Sequence, residues 1–247
     1  MPIDGPLSGG EAQSADFRIL HNGFVATNER VFAVTIDTMR KNYCLAGLDI
    51  GDVAPDPLVQ FDRWFHEARQ SDLPDWMEVN AMTLATASSD GTVTSRIVLL
   101  KGVEESKFVF YTNYGSVKGQ HLQQNPRVSL CFFWPHLERQ VLIDGVAAKV
   151  SRQRSEQYFH SRPRESQVGA WTSAQSSVVD GRDVLQQRYQ ELTNQFNGDV
   201  VPLPDQWGGY EVTADRIEFW QGRPSRLHDR IQYRRDQDQW EIQRLSP

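Results

Sequence analysis

"AMTLATASSDGTVTSRIVLLKGVEESKFVFYTN", residues 81–113, decides the fold. Three runs rich in Val, Ile, Thr, Phe and Tyr, namely "AMTLATAS", "TVTSRIVLLK" and "KFVFYTN", are separated only by the turn signals "SSDGT" and "VEES". Spacing this short leaves no room for a helical crossover, and it points to an antiparallel barrel or sandwich. Downstream, "RVSLCFFW" and "RQVLIDGVAAKV" continue the pattern, and "GSVKGQHLQQN", between "KFVFYTN" and "RVSLCFFW", reads as a short helix or turn. Three more strands close the chain, with "RRDQDQW" as a hairpin turn. The expected class is therefore mainly β, a β-rich α+β barrel or sandwich decorated by helices, not an alternating βαβ fold.

The helices are fewer. "DPLVQFDRWFHEARQ" has Asp56 to cap it and Pro57 in its first turn, and Leu58, Phe61, Phe65 and Ala68 share a face. "SRQRSEQYFHSR" and "DGRDVLQQRYQELTNQF" are also helical. Residues 1–38 open on a Gly-, Pro- and Ser-rich stretch and read as a partly disordered N-terminal extension, with 39–247 as a single domain. Within the extension, "FVATNERVFAVTIDT" fits a strand or a helix, and Met39 is a candidate alternative start.

Among 247 residues the net charge is −6, which argues against general nucleic-acid binding. No apolar run reaches the roughly 20 residues needed to cross a bilayer, and no signal-peptide pattern opens the chain, so a cytoplasmic location is expected. Two distant cysteines and scattered histidines give no disulfide framework and no metal site. GxGxxG, GxxxxGK[ST] and GxSxG are all missing, so chemistry must come from elsewhere.

The polar residues supply candidates. In "IEFWQGRPSRLHDR", residues 217–230, an extended "RLHDR" would set Arg226, His228 and Arg230 on one face and Leu227 on the other, beside the flat surfaces of Phe219 and Trp220. Such a face suits a planar phosphorylated ligand, and a solvated edge strand fits it too. Arg96 and Lys101 bracket "RIVLLK" at odd separation, hence on opposite faces of a regular strand. In "YTNYGSVK", Gly115, Ser116 and Lys118 follow Tyr111 and Thr112 at a helix start that could cradle a phosphate. Gln140 lies among apolar residues and reads as buried. Tyr158 and Arg162 are i and i+4 neighbours, with Ser166, Gln175 and Ser176 in the polar stretch beyond Pro163.

These segments also occur in a characteristic order: "RIVLLK", "YTNYGSVK", "NPRVSL", "LERQV", "YFHSRPRESQVGAWTSAQSS", "VPLPDQWGGY" and "IEFWQGRPSRLHDR". From Met39 to the closing "RLSP" the chain resembles the pyridoxine/pyridoxamine 5′-phosphate oxidase family. The resemblance implies an FMN-binding split β-barrel, assembled as a homodimer with FMN across the subunit interface. It implies oxidation of pyridoxamine and pyridoxine 5′-phosphates to pyridoxal 5′-phosphate with O2 as acceptor, giving H2O2. By the same resemblance FMN would be held by Arg96, Ile97, Val98, Leu99, Tyr111, Thr112, Lys118, Gln140, Gln175, Ser176, Trp220 and Arg230. Substrate would meet Lys101, Tyr158, Arg162, Ser166 and Leu227, with Arg40, Lys41, Asn42 and Tyr43 covering the site and Arg226 and His228 at the reacting carbon. Where many relatives carry two consecutive basic residues, this chain has Val117 before Lys118, which implies weaker FMN retention. Another split-barrel flavoprotein, or a non-catalytic carrier of FMN or pyridoxal phosphate, would share part of this pattern.

Overall fold

A computed structural model describes residues 39–70 and 72–247, so the expected extension at 1–38 lies outside the described residues. Asn42–Pro247 form one compact unit, and Met39, Arg40 and Lys41 belong with the residues before them. Nine strands make one antiparallel sheet: β1 (Ala81–Ala87), β2 (Val93–Leu99), β3 (Gly102–Glu104), β4 (Lys107–Asn113), β5 (Arg127–Trp134), β6 (Arg139–Lys149), β7 (Trp207–Gln221), β8 (Asp229–Asp236) and β9 (Gln239–Leu245). The order is β2-β1-β5-β6-β7-β4-β3, with β8 on β7 and β9 on β8.

Two features curl this sheet. The run from β2 into β3 changes partner, because β2 pairs with β1 whereas β3 pairs with β4. At the switch the Leu100 N–H donates to the Asn80 carbonyl and the Lys101 N–H to that of Val109. One continuous stretch thus joins both edges of the path and closes a barrel. The long β7 is the fork, with its first half paired to β4 and its second half to β8. A bulge at Asp144/Gly145 bends the β6–β7 ladder between them.

Alternation along the strands fills the interior. Met82, Leu84, Leu130, Phe132, Val141, Ile143, Ile217, Phe219, Ile231 and Tyr233 are all buried to within 1% of complete. Helix α1 (Pro57–Gln70) plugs one end of this core. Asp56 accepts from the Leu58 N–H as expected, and Phe61 meets Phe108 and Phe132 edge-on at 5.1 and 5.2 Å. The buried face is Pro57, Gln60, Phe61, Trp64 and Ala68, whereas Leu58 and Phe65 are only partly covered. The apolar stripe is therefore rotated toward Trp64, which packs on Phe219.

Helices α2 (Val117–Gln124), α3 (Arg152–Ser161) and α5 (Arg182–Gln195) form where the sequence places them. Helix α4 (Arg164–Thr172) was not anticipated in the polar stretch after Pro163. Pro163 marks the end of α3, whose last residue is Ser161 and whose C-cap Arg162 is extended. It also occupies the N-cap of α4, where a missing N–H costs nothing. A second apolar cluster of Phe159, Val168, Phe196, Val201, Leu203 and Trp207 fastens these helices to the start of β7.

Candidate active site

The floor of a cleft of about 730 Å³ is laid by β2 and β4, and its wall by α3, α4 and the 173–176 turn. Arg96, Ile97, Val98 and Leu99 line it from β2, and Lys101 from the seam. Tyr111 and Thr112 enter from β4, Lys118 from α2, and Tyr158, Arg162, Ser166, Gln175 and Ser176 from the helical wall. Three separate sequence motifs meet in this one place. Arg96 and Lys101 were expected on opposite faces, but the strand ends at Leu99, and the change of partner returns Lys101 to the same cleft.

Among the described residues, the cations here are held ready without a counter-ion. Arg96 Nη1 donates to the Leu84 carbonyl at 3.1 Å and to Thr86 Oγ1 at 2.8 Å, and Nη2 donates to Thr94 Oγ1. All three acceptors are neutral. Lys118 Nζ donates to Gln175 Oε1 at 3.0 Å and Ser116 Oγ at 3.2 Å, again without a carboxylate. Burial, helped by the neighbouring Arg96, brings the Lys118 pKa down to about 8. Burial also lowers that of Arg162, whose buried Nη1 has no hydrogen-bond partner while its guanidinium lies 4.8 Å from the Trp207 ring centre. A buried guanidinium nitrogen with no acceptor is costly unless an anion fills the gap. The chemistry of this cleft therefore fits phosphate. Beside it Tyr111 stacks on Tyr158 at 3.8 Å, and both rings run parallel to Trp207.

The helix-start cradle is only partly present. Ser116 is fully buried, and its hydroxyl donates to the Asn113 carbonyl and accepts from the Gly119 N–H, so it caps α2 and does not face the cleft. Gly115 and Val117 border a smaller hollow that shares Asn113, Gln175 and Ser176 with the cleft. Asn113, Gly169, Ala170, Ser173 and Trp207 also line the main cleft and were not anticipated. Trp207 could have been found from "WGGY", whose ring faces the cations.

The remaining predicted residues assemble elsewhere. Gln140, Trp220 and Arg230 stand in one cross-strand row over β6, β7 and β8. Gln140 was expected buried but is half-buried on the outer face of the sheet. The Arg230 fork clasps buried Glu218, from Nε at 2.7 Å and Nη2 at 3.0 Å, which raises the Arg230 pKa. Trp220 packs against His228 at 4.7 Å, and Tyr43 sets its ring edge-on to both. "RLHDR" is not extended, which corrects the shared face expected for Arg226, His228 and Arg230. Pro224–Arg226 form a 3-10 turn with positive φ at Ser225 (57°) and Arg226 (62°), and β8 starts only at Asp229. The turn leaves Arg226 and Leu227 exposed and directs the Arg223 N–H to His228 Nδ1 at 3.1 Å. An N–H can only donate, so Nδ1 is the acceptor and the imidazole proton sits on Nε2. Asn42 is exposed beside Tyr43; Arg40 and Lys41 are exposed within the other unit.

These two groups lie far apart. Ile97, Thr83, Cys131, Leu142 and Glu218 are successive partners across β2, β1, β5, β6 and β7. Four strand spacings separate the cleft residue Ile97 from the carboxylate that holds Arg230, about 19 Å along the sheet.

Comparison with known proteins accords with this anatomy. Residues 73–196 match the family model described as pyridoxamine 5′-phosphate oxidase, and residues 207–247 match the pyridoxine 5′-phosphate oxidase C-terminal dimerisation region. A pyridoxine/pyridoxamine 5′-phosphate oxidase of Rhodopirellula baltica is 58% identical over 216 residues, covering 86% of this chain and 96% of the relative. One from Leptospira interrogans is 54% identical over 213 residues, covering 86% and 98%. Among solved structures, PhzG from Burkholderia lata, in complex with tetrahydrophenazine-1-carboxylic acid, superposes with a TM-score of 0.75 at 27% identity, over 80% of this chain and 95% of that one. A pyridoxamine 5′-phosphate oxidase-related, FMN-binding protein from Nostoc punctiforme gives a TM-score of 0.61 at 15% identity, over 79% and 99%. The fold is the split β-barrel that the resemblance implied, and the chain belongs to the pyridoxamine 5′-phosphate oxidase family, whose cofactor is FMN.

Proposed function

We propose that this protein oxidises pyridoxamine 5′-phosphate and pyridoxine 5′-phosphate to pyridoxal 5′-phosphate, with O2 as final acceptor. The observation that carries the reading is the set of uncompensated cations, Arg96, Lys118 and Arg162, around one cleft that also presents a stacked aromatic wall. Two phosphates need two cationic positions. Arg96 and Lys118 would hold the phosphate of FMN, and Lys101, Tyr158, Arg162 and Ser166 that of the substrate. PhzG offers a second reading, in which the substrate is a carboxylated tricycle. Lys101, Tyr158, Arg162 and Ser166 all line one cleft, more donors than a carboxylate's two oxygens call for, which supports a phosphate ester instead.

Held by Arg96 and Lys118, FMN would supply the redox chemistry, taking up the hydride from the substrate's C4′ with O2 as the final acceptor and H2O2 as by-product. The chain's part is to bind, orient and exclude water. Arg226 would orient the pyridine ring, and His228, with its proton on Nε2, would donate a hydrogen bond to it. With the amine substrate, loss of the hydride and a proton leaves an imine, which water hydrolyses to aldehyde and ammonia.

Trp220, Arg226, His228 and Arg230 all lie in the region matched to dimerisation, and none of them lines the cleft. A second copy would bring its own set of these residues over the first copy's cleft, so that each site draws on both chains.

The test is a visible spectrum of the FMN-loaded protein, recorded without oxygen while pyridoxamine 5′-phosphate is added. Flavin absorbance should bleach and return on admission of air. A flavin that stays yellow with both phosphate esters would refute the assignment.

A further inference from the structure

Glu138, in the turn between β5 and β6, combines two costly features. Its backbone is left-handed, with φ at 55°, and its carboxylate is only 1% exposed. Strain and charge burial of this kind persist only where surrounding contacts demand them. One carboxylate oxygen accepts the N–H groups of Cys44 and Leu45, at 2.7 and 3.0 Å. The Glu138 carbonyl meanwhile accepts the Gly222 N–H at 2.8 Å. Gly222 is the shelf beneath Tyr43: a methyl group added there would lie 2.7 Å from Tyr43 Cγ and 2.8 Å from its Cβ. One residue therefore fixes both the strap that carries Tyr43 and the surface on which Tyr43 rests. Further along, the Arg223 guanidinium reaches the Ala46 carbonyl and Asp229 accepts the Leu48 N–H, tying the strap to the turn that bears Arg226 and His228.

We propose that Glu138 is a positioning residue for substrate: it clamps the 44–45 backbone so that the Tyr43 ring closes against Trp220 and His228. The role in substrate binding rests on the oxidase reading above; the clamp itself does not. Glu138 acts on the backbone of Cys44, Leu45 and Gly222, which flank and support Tyr43, so its effect on substrate is expected to pass through Tyr43.

Kinetics and amide exchange of the FMN-loaded protein test this together. Glu138→Ala and Tyr43→Ala should each raise KM for pyridoxamine 5′-phosphate about tenfold, and the double variant should be no worse than Tyr43→Ala alone. Glu138→Ala should also speed hydrogen exchange at the Cys44 and Leu45 amides about tenfold. Additive KM effects, or unchanged exchange at those two amides, would overturn the proposal. If wild-type protein turns over neither phosphate ester, the oxidase reading fails, and exchange at Cys44 and Leu45 alone decides the clamp. Should Glu138→Ala not fold, Gly222→Ala displaces the same ring from below; an unaltered KM there would equally overturn the proposal.

Discussion

Lys118 is the residue whose chemistry reaches furthest. Its pKa of about 8 reflects an ammonium buried beside Arg96 with only neutral acceptors. In the ligand-free chain the depression costs stability that is fully felt below about pH 8 and is relieved as the pH climbs toward lysine's ordinary 10.5. A phosphate dianion reverses the balance by raising the pKa again. FMN binding above pH 8 should therefore take up a proton, and affinity should fall about tenfold per pH unit until the pKa of the bound state is reached. Fluorescence titrations between pH 7 and 9.5 check this, with riboflavin, which lacks the phosphate, as the insensitive control. The sequence marks Lys118 and Arg96 as candidates through the motifs around them. It cannot show that both have neutral partners, because Leu84 and Thr86 of β1 and Gln175 of the 173–176 turn, which satisfy them, come from two other segments. Glu138 was invisible for the opposite reason: a Glu in a hairpin turn ordinarily faces water, and only the distant strap makes it structural.

At the scale of elements, α2 carries a departure with a measurable effect. Val117 is partly exposed at its first turn, in the hollow that shares Gln175 and Ser176 with the cleft. A guanidinium there would lie near the phosphate end of the site without displacing the capping hydroxyl of Ser116. Val117→Arg should tighten FMN binding about tenfold, consistent with one added charge-assisted contact; equilibrium dialysis against FMN measures it, and unchanged retention would show the position to be indifferent. The elements themselves were mostly legible, since β-branched runs and turn residues mark strands wherever one face is buried. The exceptions were places where tertiary contacts overrode local pattern. Helix α4 forms because Val168 reaches the Trp207 cluster, and the turn at 224–226 replaces an extended segment because its amide is spent on His228.

For the whole molecule, the separation of the two residue groups predicts complementation. Arg162→Ala should disable the cleft side and Arg226→Leu the side supplied from 207–247, each costing roughly a hundredfold in turnover. Hybrid dimers made by co-expression would contain one site with both sides intact. Mixed protein should recover activity well above either parent, up to half of wild type per hybrid; if both sides came from one chain, no recovery would be seen. Sequence resemblance implied a shared site, but only the strand register shows how far apart its parts lie in one copy.

The seam at Leu100–Lys101 carries a last consequence. Ordinary hairpin loops in this barrel could gain or lose a residue and adjust. Between Arg96 and Lys101 the chain is paired on both sides, first to β1 and then to β4, so an insertion has nowhere to be absorbed. Whichever half yielded would slip register and turn alternate side chains over, sending Arg96 or Lys101 away from the cleft. Chain length across these six positions is thus as much a part of the site as the charges at its ends.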